Sequence, residues 1–137
     1  MSAMENKPVS VLVVDDDAEM TDLLVTVLTD AGYRATSASG PEEALAVIRD
    51  NPPRLVVSDL SMPTASGLEL LEEVRATLPD LHFIILTAFG DWASFCRAQD
   101  LRVDSYLTKP VAMQQLLAEV AAILAADNPG PPHRPKP

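Results

Sequence analysis

The chain of 137 residues contains one cysteine, Cys96, which excludes an internal disulfide and fits a reducing compartment. Cys96 itself is expected to pack as a small apolar residue. Its two histidines, His82 and His133, lie far apart, so no zinc-site spacing exists. Aromatic residues make up 4% of a chain that is 47% hydrophobic, which leaves Ala, Val and Leu to build the core. No apolar run approaches the ~20 residues of a membrane helix. The first residues, MSAMENKP, lack the apolar stretch of a secretion signal. A cytoplasmic location is therefore expected. Basic residues number 10 against 20 acidic ones, a net charge of −10. Such a surface repels phosphodiester backbones, which argues against direct binding of nucleic acid.

Short Val/Ile/Leu-rich runs alternate with helix-like stretches. The runs predict strands at Val9–Val14, Tyr33–Ser37, Leu55–Ser58, His82–Leu86 and Ser105–Leu107. Helices are predicted at Ala18–Ala31, Pro41–Asp50, Gly67–Leu78, Trp92–Asp100 and Met113–Ala126. Asp17, Ser66 and Asp91 stand where N-caps belong, with Ser66 and Glu69 spaced as a capping box, and Gly32 follows the first helix. The fold class is α/β: a doubly wound five-stranded parallel sheet with five helices. We assign an N-terminal lead to 1–8, one domain to 9–127, and a Pro-rich disordered tail to 128–137.

Polar residues stand at the carboxyl ends of the strand runs. Asp15 and Asp16 follow VSVLVV, Asp59 follows LVVS, Thr87 follows HFIIL, and Lys109 follows SYLT. Ligands of open parallel sheets bind beyond those ends, so the five residues should converge. Three carboxylates crowded together repel one another unless a cation sits among them, and an all-oxygen set suits a hard divalent ion.

The segments VLVVDDD at 11–17, VVSDLSMPTASGLELL at 56–71, ILTA at 85–88 and YLTKP at 106–110 occur in an order and spacing that resemble the receiver domain of two-component response regulators. The resemblance implies a flavodoxin-like fold and a phosphoacceptor that receives its phosphoryl group from a sensor histidine kinase or a phosphotransfer protein. It implies Asp59 as the phosphorylated nucleophile, with Thr87 and Lys109 contacting the phosphoryl oxygens. It implies Mg²⁺ held by Asp16, Asp59 and the backbone carbonyl of Ser61, with Asp15 acting through a metal-bound water. It further implies a switch pair, Thr87 and Tyr106, and a cis peptide at Lys109-Pro110. Beyond its own phosphoryl transfer and dephosphorylation, a chain of this kind is not an enzyme. Ser61, Phe89, Val111 and Arg102 depart from residues common in the family. Ser61 and Phe89 would flank a water attacking the phosphoryl group.

The fourth helix carries Trp92 and Phe95, and the outer side of the fifth carries Ala118, Ala122, Ile123 and Ala125 with little charge. These helices are expected to form the face for a downstream protein or a second copy. Two other readings compete. Asp15-x-Asp17 mimics the acidic pair of haloacid-dehalogenase-type phosphatases, but Glu19 occupies the place of their hydroxyl residue. After the lysine, only Glu119 and Asp127 could serve the metal motif of that family. A degenerate receiver acting as an adaptor is the third reading, and the complete polar set opposes it.

Overall fold

A computed structural model describes residues 8–62, 66–88 and 90–126. The expected tail at 128–137, and the expected lead apart from Pro8, lie outside the described residues. The elements alternate as β1 (Ser10–Val14), α1 (Ala18–Asp30), β2 (Arg34–Ala38), α2 (Pro41–Asp50), β3 (Leu55–Asp59), α3 (Gly67–Thr77), β4 (His82–Thr87), α4 (Trp92–Asp100), β5 (Ser105–Thr108) and α5 (Met113–Ala126). The five strands form one sheet in the order β2-β1-β3-β4-β5, each pairing parallel.

Period-2 alternation distributes the core. Leu12, Val14, Val56, Phe83 and Ile85 point to one face, against Ala44 and Ile48 of α2, Leu70, Leu71 and Val74 of α3, and Ala98 of α4. Val11, Val13, Val57, Ile84 and Leu86 point to the other face, against Leu24 and Leu28 of α1 and Leu116 and Val120 of α5. Because β1, β3 and β4 are buried on both faces, their sequences read as unbroken apolar runs.

Several boundaries differ from expectation by a residue, for physical reasons. Tyr33 is not in β2. Its N–H closes the end of α1 on the Leu28 carbonyl, next to Gly32 at φ 104°, and pairing with β1 begins at Arg34. Val9 and Ala31 likewise fall outside β1 and α1, and Leu78 closes α3 as its C-cap. β3, β4 and β5 each run one residue further than expected, because Asp59 pairs with Leu86 and Thr87 with Thr108. The polar site residues Asp59 and Thr87 are thus the last residues of their strands and inherit the rigidity of the ladder. Ile123 also departs from its expected outward position: it is partly buried and packs against the core on that face of the sheet. The exposed residues of α5 are Gln114, Gln115 and the alanines at 118, 121, 122, 125 and 126, and the Glu119 carboxylate is engaged by the Ser105 hydroxyl at 2.6 Å.

Arg102 adopts φ 60° without being glycine, a conformation that L-residues with a Cβ resist. A buried arginine secures it. Arg75 of α3 donates Nε to the Leu101 carbonyl at 2.7 Å, Nη1 to Leu81 at 2.6 Å and Nη2 to Arg102 at 2.9 Å. Asp104 lies 4.0 Å from the same guanidinium, whose side chain is 8% exposed. Burial holds the Arg75 pKa below its ordinary value, with Asp104 opposing. Arg75→Met removes the donors and strands the carbonyls, so it should cost about 2–4 kcal/mol. The expected readout is a lower urea midpoint at unchanged m-value.

Candidate functional site

The site is built where β1, β3, β4 and β5 end. Asp15 follows β1 and is buried, with its N–H donating to the Ala38 carbonyl at 3.2 Å. Its carboxylate accepts the Asp17 N–H at 3.0 Å and the Lys109 ammonium at 3.2 Å. Asp16 is exposed at the rim. Asp59 lies half-buried across from them. Carboxylate oxygens of Asp15, Asp16 and Asp59 fall within 4.8 Å of one another. Among the described residues one ammonium, that of Lys109, pairs with this group of three carboxylates, which leaves negative charge in excess. An all-oxygen donor set with such a deficit fits a hard divalent cation.

Lys109 sits 3.9 Å from Asp59 and nearer to Asp15. Its backbone N–H donates to the Thr87 carbonyl at 2.7 Å, and the Lys109-Pro110 peptide is cis, as the resemblance implies. Burial is the main influence on Asp59 and raises its pKa. The neighbouring Lys109 lowers it, Asp15 raises it further, and the Leu60 and Ser61 amides lower it. The net direction is upward, so ionised Asp59 is held at a cost.

Two glycines shape this end of the sheet and were not singled out by the sequence reading as site residues. Gly67 begins α3, donates its N–H to the Leu60 carbonyl at 2.7 Å and lies against β3. A Cβ there would fall 2.3 Å from the Asp59 carbonyl oxygen and 3.1 Å from the Ser58 hydroxyl. The Ser66 side chain caps the helix by accepting from the Leu68 and Glu69 N–H groups, and Ser66 bridges to Ser61. Ser61 is thereby held two residues beyond Asp59. Gly67→Ala should cost about 1–3 kcal/mol by forcing β3 and α3 apart, read as a drop in thermal midpoint. Gly90 makes a similar approach to Tyr106, whose hydroxyl would lie 2.3 Å from an added Cβ. A glycine at the first turn of a helix or two residues before one is a signal sequence alone offers, but sequence does not reveal what it approaches.

Thr87 is buried at the end of β4. Ile85 pairs with Tyr106 across β4 and β5, so by the two-residue period Thr87 and Tyr106 point to the same face of the sheet. The Tyr106 ring packs edge-on to Phe95 at 5.3 Å, and Phe95 stacks on Trp92 at 5.4 Å. Pro63 and Phe89 lie outside the described residues. The phosphatase reading fails on Asp17, whose carboxylate caps α1 by accepting from the Glu19 and Met20 N–H groups and so is committed to the helix.

Comparisons with known proteins agree with this geometry. The family model for the response regulator receiver domain matches residues 11–121. Response regulator MprA of Mycobacterium sp. strain KMS is 38% identical over 122 residues, covering 89% of this chain and 53% of that protein. The phosphate regulon transcriptional regulatory protein PhoB of Pseudomonas aeruginosa is 32% identical over 128 residues, covering 92% and 56% respectively. The chain thus spans about half the length of these curated relatives. Among solved structures, a CheY-like response regulator receiver domain protein from Methanospirillum hungatei superposes with a TM-score of 0.86 at 28% identity, covering 88% of this chain and 96% of that one. Response regulator TrrA from Thermotoga maritima, solved in complex with Mg²⁺-BeF, gives 0.77 at 32% identity, covering 84% and 98%. With the aspartate cluster and lysine at the strand ends and a family match spanning nearly the whole described chain, the protein belongs to the response regulator receiver domains of two-component signalling.

Proposed function

We propose that Asp59 is the phosphoacceptor, that Mg²⁺ is the cation of the aspartate cluster, and that Thr87 and Tyr106 form the switch. The observation that carries this reading is the gathering of Asp15, Asp16 and Asp59 within 4.8 Å beside Lys109. An Asp59 carboxylate oxygen attacks the phosphorus of a phosphohistidine on a sensor kinase or phosphotransfer protein. The new O–P bond forms as the N–P bond breaks, and the imidazole leaves with the bonding pair and takes a proton from solvent. Asp16, Asp59 and the Ser61 carbonyl would hold Mg²⁺, with Asp15 orienting a water, and the bound ion would supply positive charge to the phosphoryl oxygens. Lys109 turns from the carboxylates to a second phosphoryl oxygen as a compact charge. The Thr87 hydroxyl donates to a third. Drawing Thr87 toward the site frees room on the face it shares with Tyr106, and protein contacts on the α4 side change.

The chain performs no other catalysis in this reading, and its place is the cytoplasm. No helix among the described residues is long and apolar enough to cross a membrane. Relatives named as transcriptional regulators are about twice as long as the stretch they share. With a net charge of −10 this stretch is a poor surface for DNA, so its own output is contact with another protein or a second copy. Incubation with acetyl phosphate and Mg²⁺ should add one phosphoryl group by intact mass. Borohydride reduction should then convert Asp59 to homoserine in the peptide map. Conversion at Asp15 would favour the phosphatase chemistry, and an unmodified chain would favour a constitutive adaptor.

A further inference from the structure

Ser58 places a hydroxyl where the sheet otherwise holds hydrocarbon. It follows Val56 on one face of β3, and its partners on the flanking strands are Val14 and Ile85. All four residues are 0% exposed. A hydroxyl enclosed in this way destabilises the fold unless it is bonded, and an apolar residue of similar size avoids that cost. Ser58 spends its hydroxyl on one acceptor, the carbonyl of Asp59 at 2.9 Å.

That carbonyl begins a stretch of backbone whose carbonyls are held one after another. Gly67 lies against the same two atoms, since a Cβ there would fall 2.3 Å from the Asp59 carbonyl oxygen and 3.1 Å from the Ser58 hydroxyl. The Gly67 N–H donates to the next carbonyl, that of Leu60, at 2.7 Å. The Asp59–Leu60 and Leu60–Ser61 peptides are therefore each held by their oxygen. A trans peptide is planar, so fixing its carbonyl fixes the direction of its N–H. The N–H groups of these two peptides, those of Leu60 and Ser61, are the amides that act on the Asp59 carboxylate.

We propose that Ser58 is a positioning residue for phosphoryl transfer, its hydroxyl setting the tilt of the Asp59–Leu60 peptide and through it the direction in which the Asp59 carboxylate meets the incoming phosphorus. This rests on the reading of Asp59 as the phosphoacceptor, and it adds what orients the attacking group. Ser58 is fully buried and acts through the backbone alone. Its loss should therefore slow attack and leave binding of the donor intact, because the groups that receive the donor's phosphoryl oxygens are all still present.

The test follows phosphorylation by acetyl phosphate across donor concentrations at saturating Mg²⁺, read by intact mass. Ser58→Ala should lower the maximal rate about 10-fold and leave the half-saturating donor concentration unchanged. Ser58→Thr keeps a hydroxyl and should restore the rate. In the ¹H–¹⁵N spectrum of unphosphorylated Ser58→Ala, the Leu60 amide nitrogen should move upfield, because the carbonyl of its own peptide has lost a donor. If Ser58→Ala fails to fold, Ser58→Cys, close to serine in size and a weak donor, takes its place in both measurements. A wild-type maximal rate in Ser58→Ala, or equal slowing in Ser58→Ala and a folded Ser58→Thr, would overturn the proposal. A slowed rate with an unmoved Leu60 nitrogen would overturn it as well, since the loss would then come from packing. Absence of a phosphoryl adduct on wild-type Asp59 would sink the phosphoacceptor reading and this proposal together, whereas a labelled wild type with unaltered kinetics in Ser58→Ala sinks this proposal alone.

Discussion

Asp59→Asn should take up no phosphoryl group from acetyl phosphate, and without divalent cation it should melt a few degrees above wild type. The first effect follows from chemistry, since an amide oxygen is too weak a nucleophile to form the acyl phosphate. The second follows from the site's electrostatics. Burial and the neighbouring Asp15 raise the Asp59 pKa, outweighing Lys109 and the Leu60 and Ser61 amides. The folded state therefore binds the proton more tightly than the unfolded chain does. Stability is highest below the unfolded carboxylate pKa and declines as pH rises through the folded one. At neutral pH the ionised group is a net strain on the metal-free fold. Asparagine removes that strain, and it should flatten the fall in stability between mildly acidic and neutral pH. Melting curves in chelator across that range test it. Undiminished labelling of the variant would move the acceptor elsewhere, and a lower melting temperature would mean that Asp59 supports the fold it is expected to burden.

Much of the fold was legible because the strands buried on both faces cannot be mistaken for amphipathic helices. Where one-residue errors arose, the deciding information was not local. Tyr33 carries a strand-like side chain, yet its N–H is taken by Leu28 at the end of α1. Asp59 and Thr87 look like loop residues until the register pairs them with Leu86 and Thr108. At the site, the charged residues announce themselves, because three carboxylates converging at strand ends have few structural uses. The glycines do not. Gly67 and Gly90 matter through the Asp59 carbonyl and the Tyr106 ring, neighbours 8 and 16 residues away in sequence. Arg75 is silent for the same reason, since its partners at Leu81, Leu101 and Arg102 are set by how α3 packs on the face of the sheet.

Removing Mg²⁺ with a chelator should slow phosphorylation from acetyl phosphate about 100-fold or more, since the charge it supplies is worth several kcal/mol. Cation binding should also appear as stability. A ligand that binds the folded state alone adds about 2.7 kcal/mol at 100 times its dissociation constant. Wild type should therefore melt higher as Mg²⁺ is titrated in. Asp16→Ala separates the two roles of that carboxylate. Asp16 is exposed at the rim, and its oxygens come within 4.8 Å of those of Asp15 and Asp59. Its loss relieves repulsion in chelator, so the metal-free variant should be no less stable than wild type, while the Mg²⁺-dependent rise should shrink. Asp17→Ala is the control one residue away. Asp17 caps α1 through the Glu19 and Met20 N–H groups at 3.0 and 3.3 Å, so its loss should cost about 1 kcal/mol with and without metal. Its Mg²⁺-dependent rise should remain whole. If instead Asp17→Ala abolished that rise and Asp16→Ala preserved it, the cation would belong to the loop at the start of α1 rather than to the cluster with Asp59.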